Sequence, residues 1–243
     1  NKMAEDLKNL EESRRSFVAS VSHELKSPLT CISGYAQGIL DGTVPEDERP
    51  RYLKVVLSES ARLTKLVNDL LELSKFESGK FPLSKAVFDV NELLRLELIK
   101  FEQRIDDKRL DVDVDFREEP CRVVADADRI RQVATNLIDN AVKFAPEGAK
   151  LTLTTEAAGD TCFVRVFNEG APIAQEDIPF LFDRFYKADK AHTSGMGTGL
   201  GLSIVKRILE QHGQTIKVSS GALGTTFTFT LERAKGETGE DKV

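Results

Sequence analysis

The chain has 243 residues, of which 40% are hydrophobic and 30% charged, and its formal net charge is −6. This length allows one large domain or two ordinary ones, with enough apolar residues for a core. The acidic balance argues against a general nucleic-acid-binding protein, which would present a concentrated basic face. No apolar stretch approaches about 20 residues, so no membrane segment and no signal peptide are predicted.

The sequence predicts two long amphipathic helices at its N-terminal end. Apolar side chains recur at helical spacing over residues 7–39 and again over 52–76, with turn residues at 41–45 between them. Two such helices form an antiparallel hairpin. Each has more apolar surface than one partner can cover, which favours a dimeric four-helix bundle, with an intramolecular bundle as the alternative.

His23 lies where the apolar seam of the first helix changes phase. Pro28 follows in the same window and is expected to kink the helix or loosen its hydrogen bonds. Glu24 offers an acceptor for one ring nitrogen of His23, which would leave the other nitrogen as a nucleophile toward phosphorus. A solvated surface pair is the alternative interpretation, and the more common one for His-Glu on a helix.

Beyond Pro82 the pattern becomes that of a mixed α/β domain. Helices are predicted at residues 90–106, 128–144 and 202–212, and strands at 110–116, 151–155, 163–167, 216–219 and 225–231. The predicted domains are therefore 1–79 and 80–233, followed by a disordered polar tail at 234–243. The junction at 79–82 is the expected hinge.

Asn136, Asn140 and Lys143 are spaced so that they share one face of the predicted helix 128–144. Two carboxamides and an ammonium could hold a hydrated Mg²⁺ and polyphosphate oxygens. A solvated polar face is the alternative. Glycines at every second position from 195 to 201 disfavour a helix interior and suit a loop whose N–H groups face an anion, although a mobile linker is also possible.

The cysteines and the two remaining histidines receive structural interpretations. Cys31, Cys121 and Cys162 are far apart in sequence and form no CxxC motif, so they are interpreted as reduced thiols, with neither zinc nor a disulfide framework predicted. His212 precedes a glycine at a predicted helix end, a favourable place for a cation near exposed carbonyls. No role is predicted for His192.

In combination, these motifs resemble those of two-component sensor histidine kinases. Residues 22–29 resemble the phosphoacceptor box, 136–143 the N box, 168–173 the first glycine box, 182–187 the F box, 197–201 the second glycine box and 224–227 the final one. The motifs occur in the family's order, and the resemblance covers the chain from about residue 5 to 232.

The resemblance implies an α+β protein in which a dimerising helical hairpin precedes an α/β-sandwich ATP-binding domain. It implies a homodimeric kinase that phosphorylates its own His23 and passes the phosphoryl group to an Asp of a response regulator receiver domain. Glu24 is the candidate general base. Ser27 stands where the family commonly has Thr, which implies phosphatase activity toward the regulator. Phosphorylation within one chain and between subunits both remain open.

The implied cofactors are ATP and Mg²⁺. By the resemblance, Asn140 with Asn136 beside it holds the metal ion, Lys143 lies near the phosphates and Asn168 faces the adenine amino group. The other nucleotide-binding residues implied are Gly170, Arg184, Lys187, Gly197, Thr198, Gly199, Leu200 and Gly201.

Two positions depart from the family pattern. Asn168 stands where Asp is usual, but an amide oxygen can accept the same hydrogen bond. Pro172 replaces a glycine and restricts the turn, which bears on nucleotide affinity. An ATPase that never transfers to His23 and a dimeric scaffold with a decayed nucleotide site are the alternatives; the retained N box and glycine loop argue against decay.

The chain begins at Asn1 and enters a helical pattern directly, as a fragment of a longer protein would. The resemblance implies the cytoplasmic part of a bacterial plasma-membrane sensor.

Overall fold

A computed structural model describes residues 2–77, 82–188 and 197–235 of the chain. The chain divides into two compact units. The first unit comprises Asn1–Gly79 and Asp183–Leu200, and the second comprises Lys80–Phe182 and Gly201–Val243. The sequence analysis assigned residues 183–200 to the second domain, whereas here they group with the first unit. Most of the predicted hinge, His192 and most of the predicted tail lie outside the described residues.

Two long helices form the main part of the first unit, as predicted. Helix α1 spans Lys2–Leu40 and continues through Pro28, whose missing N–H removes one intrahelical hydrogen bond. Helix α2 spans Arg49–Glu77 and packs against α1. In the connection, Thr43 N–H donates to Asp41 Oδ1 at 3.0 Å. None of the described helices is long and apolar enough to cross a membrane.

The hairpin buries only part of its apolar surface. Leu66, Leu73 and Phe76 of α2 are almost fully buried. Other large apolar side chains of the two helices remain exposed: Val18, Leu29, Leu40, Leu53, Leu57, Val67 and Leu71. Exposed apolar surface of this extent on two paired helices is typical of a protein–protein interface.

The second unit is built on a five-stranded sheet with the order β2-β4-β5-β7-β6. Its strands are β2 Asp111–Phe116, β4 Lys150–Ala158, β5 Thr161–Glu169, β6 Ile216–Gly221 and β7 Gly224–Glu232. Strands β2 and β4 are parallel, and the other neighbours are antiparallel. Side chains of β5 alternate between buried and half-buried positions, as expected for a strand with one face against the core.

A small second sheet was missed by the sequence analysis. Strand β1 (Ala86–Asp89) pairs with β3 (Arg122–Ala125), and each strand has only four residues. The single helix predicted over 90–106 is also wrong in detail, because it consists of α3 (Val90–Ile99) and α4 (Glu102–Asp107). The break lies at Phe101, whose backbone leaves the helical region and whose side chain is buried.

Helices α5 (Ala127–Phe144) and α6 (Gly201–Gln211) contact each other and supply much of the core. Asp126 caps α5 by accepting hydrogen bonds from the N–H groups of Asp128 and Arg129, both at 3.2 Å. The buried side chains of α5 are Ile130, Val133, Ala134, Leu137, Ile138, Ala141 and Val142. This periodic burial fixes which face of α5 remains available for a ligand.

Cys121 and Cys162 are neighbours, although 41 residues separate them in the sequence. Their sulfur atoms lie 3.0 Å apart, and both residues are almost completely buried. The two are free cysteines, and the sequence analysis did not predict that they are neighbours. Sequence spacing gave no signal, because the fold brings the start of β3 against the middle of the large sheet.

His212 is buried and neutral, so its prediction as a cation at a helix end is wrong. Its Nε2 accepts a hydrogen bond from Asp126 N–H at 3.1 Å, while Nδ1 lies 2.8 Å from the Ile208 carbonyl oxygen. An accepting Nε2 requires the proton to be on Nδ1. Burial lowers the pKa of His212, Lys85 and Arg129 lower it further, and the Ile208 carbonyl and Asp126 oppose these effects.

We expect this histidine to make the chain less stable in mild acid. Because the folded-state pKa lies below the unfolded value of about 6.5, the unfolded chain takes up the proton first as pH falls. The contribution is complete above that pH and is lost progressively below it. Urea unfolding at pH 7.5 and 5.5 should give a smaller free energy at the lower pH. The decline should be smaller in His212→Asn; an equal decline would mean that another group titrates.

Candidate functional site

His23 lies on α1 with its side chain exposed to solvent. The preceding Ser22 is directed back along the helix, where its hydroxyl donates to the Val18 carbonyl at 2.9 Å. Ser27 is also exposed, one helical turn after His23. The imidazole and a nearby hydroxyl are therefore both accessible to a reactant on the surface of the hairpin.

Glu24 is held in a cluster of charges in the first unit. One carboxylate oxygen accepts from Arg62 of α2 at 3.0 Å, and the other accepts from Lys187 at 2.8 Å. All three side chains are only 17% exposed, which strengthens these contacts relative to surface ion pairs. Among the described residues, no hydrogen bond joins Glu24 to His23. The predicted base is thus adjacent in sequence but directed toward two cations.

Arg62 links two carboxylates and was missed by the sequence analysis. Besides Glu24, it binds Glu59 of its own helix at 3.4 Å. An i, i+3 pair on one helix is readable from sequence, but a contact between α1 and α2 depends on the register of the hairpin. The structure thus adds Arg62 as a residue that orients Glu24.

Segment 183–200 contributes aromatic and cationic side chains to the first unit. The Phe185 ring lies 5.8 Å from that of Phe17 between centroids, and the Arg184 guanidinium lies 5.4 Å from the centroid of the same Phe17 ring. Both separations are within the range of favourable aromatic and cation–π contacts. Together with Lys187, these contacts explain why the segment groups with the hairpin.

Thr198 makes a buried contact with α2. Its hydroxyl donates to Asp69 at 2.9 Å and also accepts from Leu200 N–H at 3.3 Å. Burial raises the pKa of Asp69 and Glu72 raises it further, while the Thr198 hydrogen bond and Lys65 oppose the increase. Thr198 was predicted as a nucleotide-binding residue; in this arrangement its hydroxyl is engaged by the hairpin.

Gly199 shows why one glycine of the loop is required. Its φ is +72°, and a Cβ atom there would lie 2.8 Å from the Phe185 Cα atom. Its carbonyl accepts from Phe185 N–H at 2.9 Å. A side chain at this position would therefore separate the two parts of the segment. Gly197 is also left-handed, whereas Gly195 lies outside the described residues.

Asn136, Asn140 and Lys143 lie half-buried on α5, opposite its apolar face. Within the described part of the chain, neither Asn136 nor Asn140 makes a side-chain hydrogen bond. Half-buried carboxamides that make no such bond are available to water or to a ligand. The Asn136 Oδ1 atom lies 3.4 Å from where a Cβ of Gly201 would be, and Lys143 Nζ lies 4.5 Å from the Phe144 ring centroid.

Lys108 anchors the C-terminal end of α5 and was also missed by the sequence analysis. Its ammonium donates to the carbonyls of Val142, Lys143 and Ala145 at 2.9, 2.8 and 2.8 Å. Burial lowers the pKa of Lys108, and Arg104 adds to the decrease. Three acceptors match the three N–H donors of a lysine. The position of Lys143 thus depends on a residue at the end of α4.

Asn168 is buried on β5 with one side of its amide open. Its Nδ2 donates to the Glu169 carbonyl at 3.2 Å, and among the described residues nothing donates to its Oδ1. Gly224 is required beside it, because a Cβ there would come within 2.2 Å of the Asn168 carbonyl oxygen. Asn168 can therefore offer an oxygen acceptor, as the usual aspartate would.

Pro172 follows this strand in an exposed turn. The next residue, Ile173, donates its N–H to Ser220 Oγ at 2.9 Å, which ties the turn to β6. Gly170 has φ +156° and a Cβ there would lie 3.4 Å from the Phe144 carbonyl oxygen. Pro172 thus occupies a solvent-facing position, and it is Gly170 whose backbone lies close to the Phe144 carbonyl.

The predicted site residues are distributed over both units. His23, Glu24, Ser27, Arg184, Lys187, Gly197, Thr198, Gly199 and Leu200 belong to the first unit, and Asn136, Asn140, Lys143, Asn168, Gly170 and Gly201 to the second. The first unit brings Glu24 and Lys187 together. In the second, the carboxamides of α5 share one helix face.

Comparison with known protein families matches the two regions that carry these residues to two domain families. Residues 13–79 match the His Kinase A (phospho-acceptor) domain, and residues 125–235 match the Histidine kinase-, DNA gyrase B-, and HSP90-like ATPase family. The Sensor protein SrrB of Staphylococcus aureus (strain N315) is 40% identical over 232 residues, which cover 94% of this chain and 39% of SrrB. The chain thus spans well under half the length of the curated relatives it matches.

Solved structures agree with this assignment. The Acinetobacter baumannii histidine kinase AdeS aligns with a TM-score of 0.74 and 32% identity, covering 88% of this chain and 98% of AdeS. Histidine kinase ThkA, solved in complex with the response regulator protein TrrA, aligns with a TM-score of 0.77 and 28% identity over 94% of this chain and 66% of ThkA. The phospho-acceptor match contains His23, and the ATPase match contains Asn136 and Asn140. The chain belongs to the sensor histidine kinase family.

Proposed function

We propose that this chain is an ATP-dependent protein-histidine kinase that phosphorylates its own His23 and passes the phosphoryl group to an Asp of a response regulator. One observation carries the proposal. A solvent-exposed His followed by an acidic residue lies in the phosphoacceptor match, and two half-buried carboxamides that make no side-chain hydrogen bond among the described residues lie in the ATPase match of the same chain. A nucleotide site without the histidine would support only an ATPase.

His23 is the nucleophile in this proposal. One ring nitrogen attacks the γ-phosphorus of ATP, an N–P bond forms, the bond to the bridging oxygen breaks and ADP leaves. Glu24 accepts the ring proton that must be lost. The two oxygens of Glu24 bind Arg62 and Lys187. One of these contacts therefore has to break, so that the oxygen can bind the His23 ring N–H, before the proton is transferred. Approach of phosphate oxygens to Lys187 would favour that exchange.

The second unit offers groups that fit the nucleotide. The open Oδ1 of Asn168 can accept from the adenine amino group, and Lys143 can neutralise phosphate charge. No group of three His, Cys, Asp or Glu residues suited to a metal occurs in the described part of the chain. We therefore assign Mg²⁺ to the amide oxygens of Asn140 and Asn136 with water and phosphate oxygens, the hard ligands it prefers. When bound, Mg²⁺ supplies neutralisation of the charge on the transferred phosphoryl group.

The remaining predicted nucleotide contacts come from the family resemblance. Arg184 and Lys187 carry the cations of the F box, and residues 197–201 carry the glycine loop. The observed contacts of Arg184, Lys187 and Thr198 with the hairpin would have to be exchanged for nucleotide during the reaction. The order of these exchanges sets when phosphotransfer can begin.

The proposed partners are a second copy of the chain and a receiver domain. The exposed apolar side chains of α1 and α2 can be covered by a second hairpin, which gives a four-helix bundle. ThkA was solved with a response regulator and ShkA with AMPPNP, and both align with this chain. We extend both ligand classes to it, in the cytoplasmic part of a bacterial plasma-membrane sensor.

Ser27 makes a separate phosphatase activity testable. Its exposed hydroxyl lies one turn from His23 and can orient a water toward a phosphorylated receiver. We expect Ser27→Ala to retain autophosphorylation and to slow receiver dephosphorylation by about 10-fold or more, as for loss of a positioned polar group. Ser27→Thr should retain both activities, and Ser33→Ala serves as an exposed serine control on α1. Equal loss of both activities in Ser27→Ala would contradict this role.

The kinase proposal is tested by incubating the chain with γ-phosphate-labelled ATP and Mg²⁺, with and without a chelator. Phosphohistidine predicts protein-bound label that is labile in acid, stable in alkali and absent when the metal is chelated. ATP hydrolysis without protein label would support the plain ATPase instead. Nucleotide binding without turnover would support the scaffold.

A further inference from the structure

The buried cysteine pair of the second unit has no part in the proposed kinase chemistry. Cys121 immediately precedes β3, and its backbone is fixed by hydrogen bonds to Asp89 Oδ1 and from Val90 N–H. Cys162 lies within β5, paired with Ala157 of β4. One sulfur therefore belongs to the residue before a strand of the small sheet and the other to a strand of the large sheet, and they meet inside the core.

The two sulfur atoms of this pair lie close to bonding distance. The sulfur atoms are 3.0 Å apart, whereas a disulfide bond is about 2.05 Å long, so bonding requires an approach of only about 1 Å. Both residues are at most 1% exposed, and each sulfur has the other as its hydrogen-bond partner. We propose that Cys121 and Cys162 form a reversible disulfide site whose oxidant is a small-molecule disulfide of the glutathione class.

The two thiols have different roles in the exchange. The hydrogen bond from Cys162 lowers the pKa of Cys121, whereas the same contact and burial raise that of Cys162. Cys121 borders the irregular residues 117–120, whereas Cys162 lies within β5, so Cys121 is the thiol that reacts first, as its thiolate, a form that its lowered pKa favours. It attacks one sulfur of the oxidant, whose S–S bond breaks and releases a thiolate. Cys162 then loses its proton and attacks the mixed disulfide at Cys121, which releases the second thiolate. Two protein thiols are oxidised, and one small disulfide is reduced to two thiols.

Access sets the rate of this reaction. Both thiols are buried, so the oxidant reaches Cys121 only when the preceding segment opens locally. Residues 117–120 lack regular secondary structure, which makes this segment the place for opening. Cys31 of α1 is half-exposed and should react sooner, so a Cys31→Ser background removes a competing reaction.

The bond would close a loop that contains all of α5. Helix α5 and β4 both lie between Cys121 and Cys162 in the sequence. The cross-link therefore restricts the unfolded chain and joins the two ends of the region that carries Asn136 and Asn140. From typical disulfide effects, we expect the thermal midpoint of the second unit to rise by about 5 °C or more on oxidation.

The test uses the full chain with Cys31→Ser, equilibrated in mixtures of reduced and oxidised glutathione. The expected product is lighter by two hydrogen atoms, yields a linked Cys121–Cys162 peptide, melts at a higher temperature and reverts with dithiothreitol. Adding Cys121→Ser or Cys162→Ser should abolish the mass change. Free thiols in fully oxidised buffer, or a persistent glutathione adduct, would overturn the proposal and leave the pair as a packing contact. No ATP is needed, so failure here is separate from failure of the kinase function.

Discussion

Asn140→Ala should lower autophosphorylation by about 100-fold or more, the cost typical of removing one preorganised group that stabilises transferred charge. The carboxamide lies half-buried on α5 and makes no hydrogen bond among the described residues, so its removal leaves no protein group unpaired. The buried neighbours Ile138, Ala141 and Val142 remain in place. Helix α5 should therefore still fold, and the loss should appear in catalysis and in Mg²⁺ dependence.

The matched control for this prediction is the adjacent Asp139→Ala. Asp139 pairs with Arg104 at 2.6 Å on a partly exposed surface, where such an ion pair contributes little to stability. We expect Asp139→Ala to retain most of the activity. Initial rates over a range of Mg²⁺ concentrations separate the two variants. Similar rates for Asn140→Ala and Asp139→Ala would contradict the assignment of Asn140 to the metal.

Glu24→Gln should reduce the maximal rate of autophosphorylation by about 100-fold, at the lower end of general-base effects. Glutamine keeps one oxygen, which can accept from Arg62 or Lys187, but its NH₂ group replaces the other acceptor and cannot take up the proton that His23 loses. The change therefore removes the basic group at nearly constant side-chain size, but it also weakens one contact of the cluster, which the control variant has to match. The apparent KM for ATP should change little, because ground-state binding is assigned to other residues.

Glu59→Gln is the matched control for Glu24→Gln. The carboxylates of Glu24 and Glu59 both bind Arg62, but Glu59 lies on α2 and is not adjacent to His23 in the sequence. A purely structural role for the Arg62 cluster would give both variants the same loss. A base role gives a large loss of rate only in Glu24→Gln, measured as the initial rate at saturating ATP.

The helical hairpin was predictable because its signal is long and local. Apolar spacing over about 30 residues per helix defines each helix, and turn residues define the connection. The shared face of Asn136, Asn140 and Lys143 followed from helical periodicity alone. The hydrogen-bonding capacity of the Asn168 amide was readable from the residue type, and its role toward a nucleotide stays a prediction; among the described residues nothing donates to its oxygen.

The features that were missed depend on contacts between distant segments. Strands β1 and β3 have four residues each, too few for alternation to stand out. The neutral state of His212 depends on its burial and on the hydrogen bond from the Asp126 backbone N–H. The environment of Cys121 depends on Cys162 of β5, 41 residues further along the chain. The direction of Glu24 toward two cations depends on the hairpin register and on segment 183–200. Only tertiary packing specifies these environments.

The most direct test of the central claim measures protein-bound label after wild type and His23→Ala are each incubated with γ-phosphate-labelled ATP and Mg²⁺. Ser22→Ala is the control, because Ser22 is next to His23 and its exposed hydroxyl donates back to the Val18 carbonyl of the same helix. The proposed mechanism predicts acid-labile, alkali-stable label in wild type and Ser22→Ala, and none above background in His23→Ala. Label that persists in His23→Ala would place the phosphoacceptor elsewhere and contradict the mechanism.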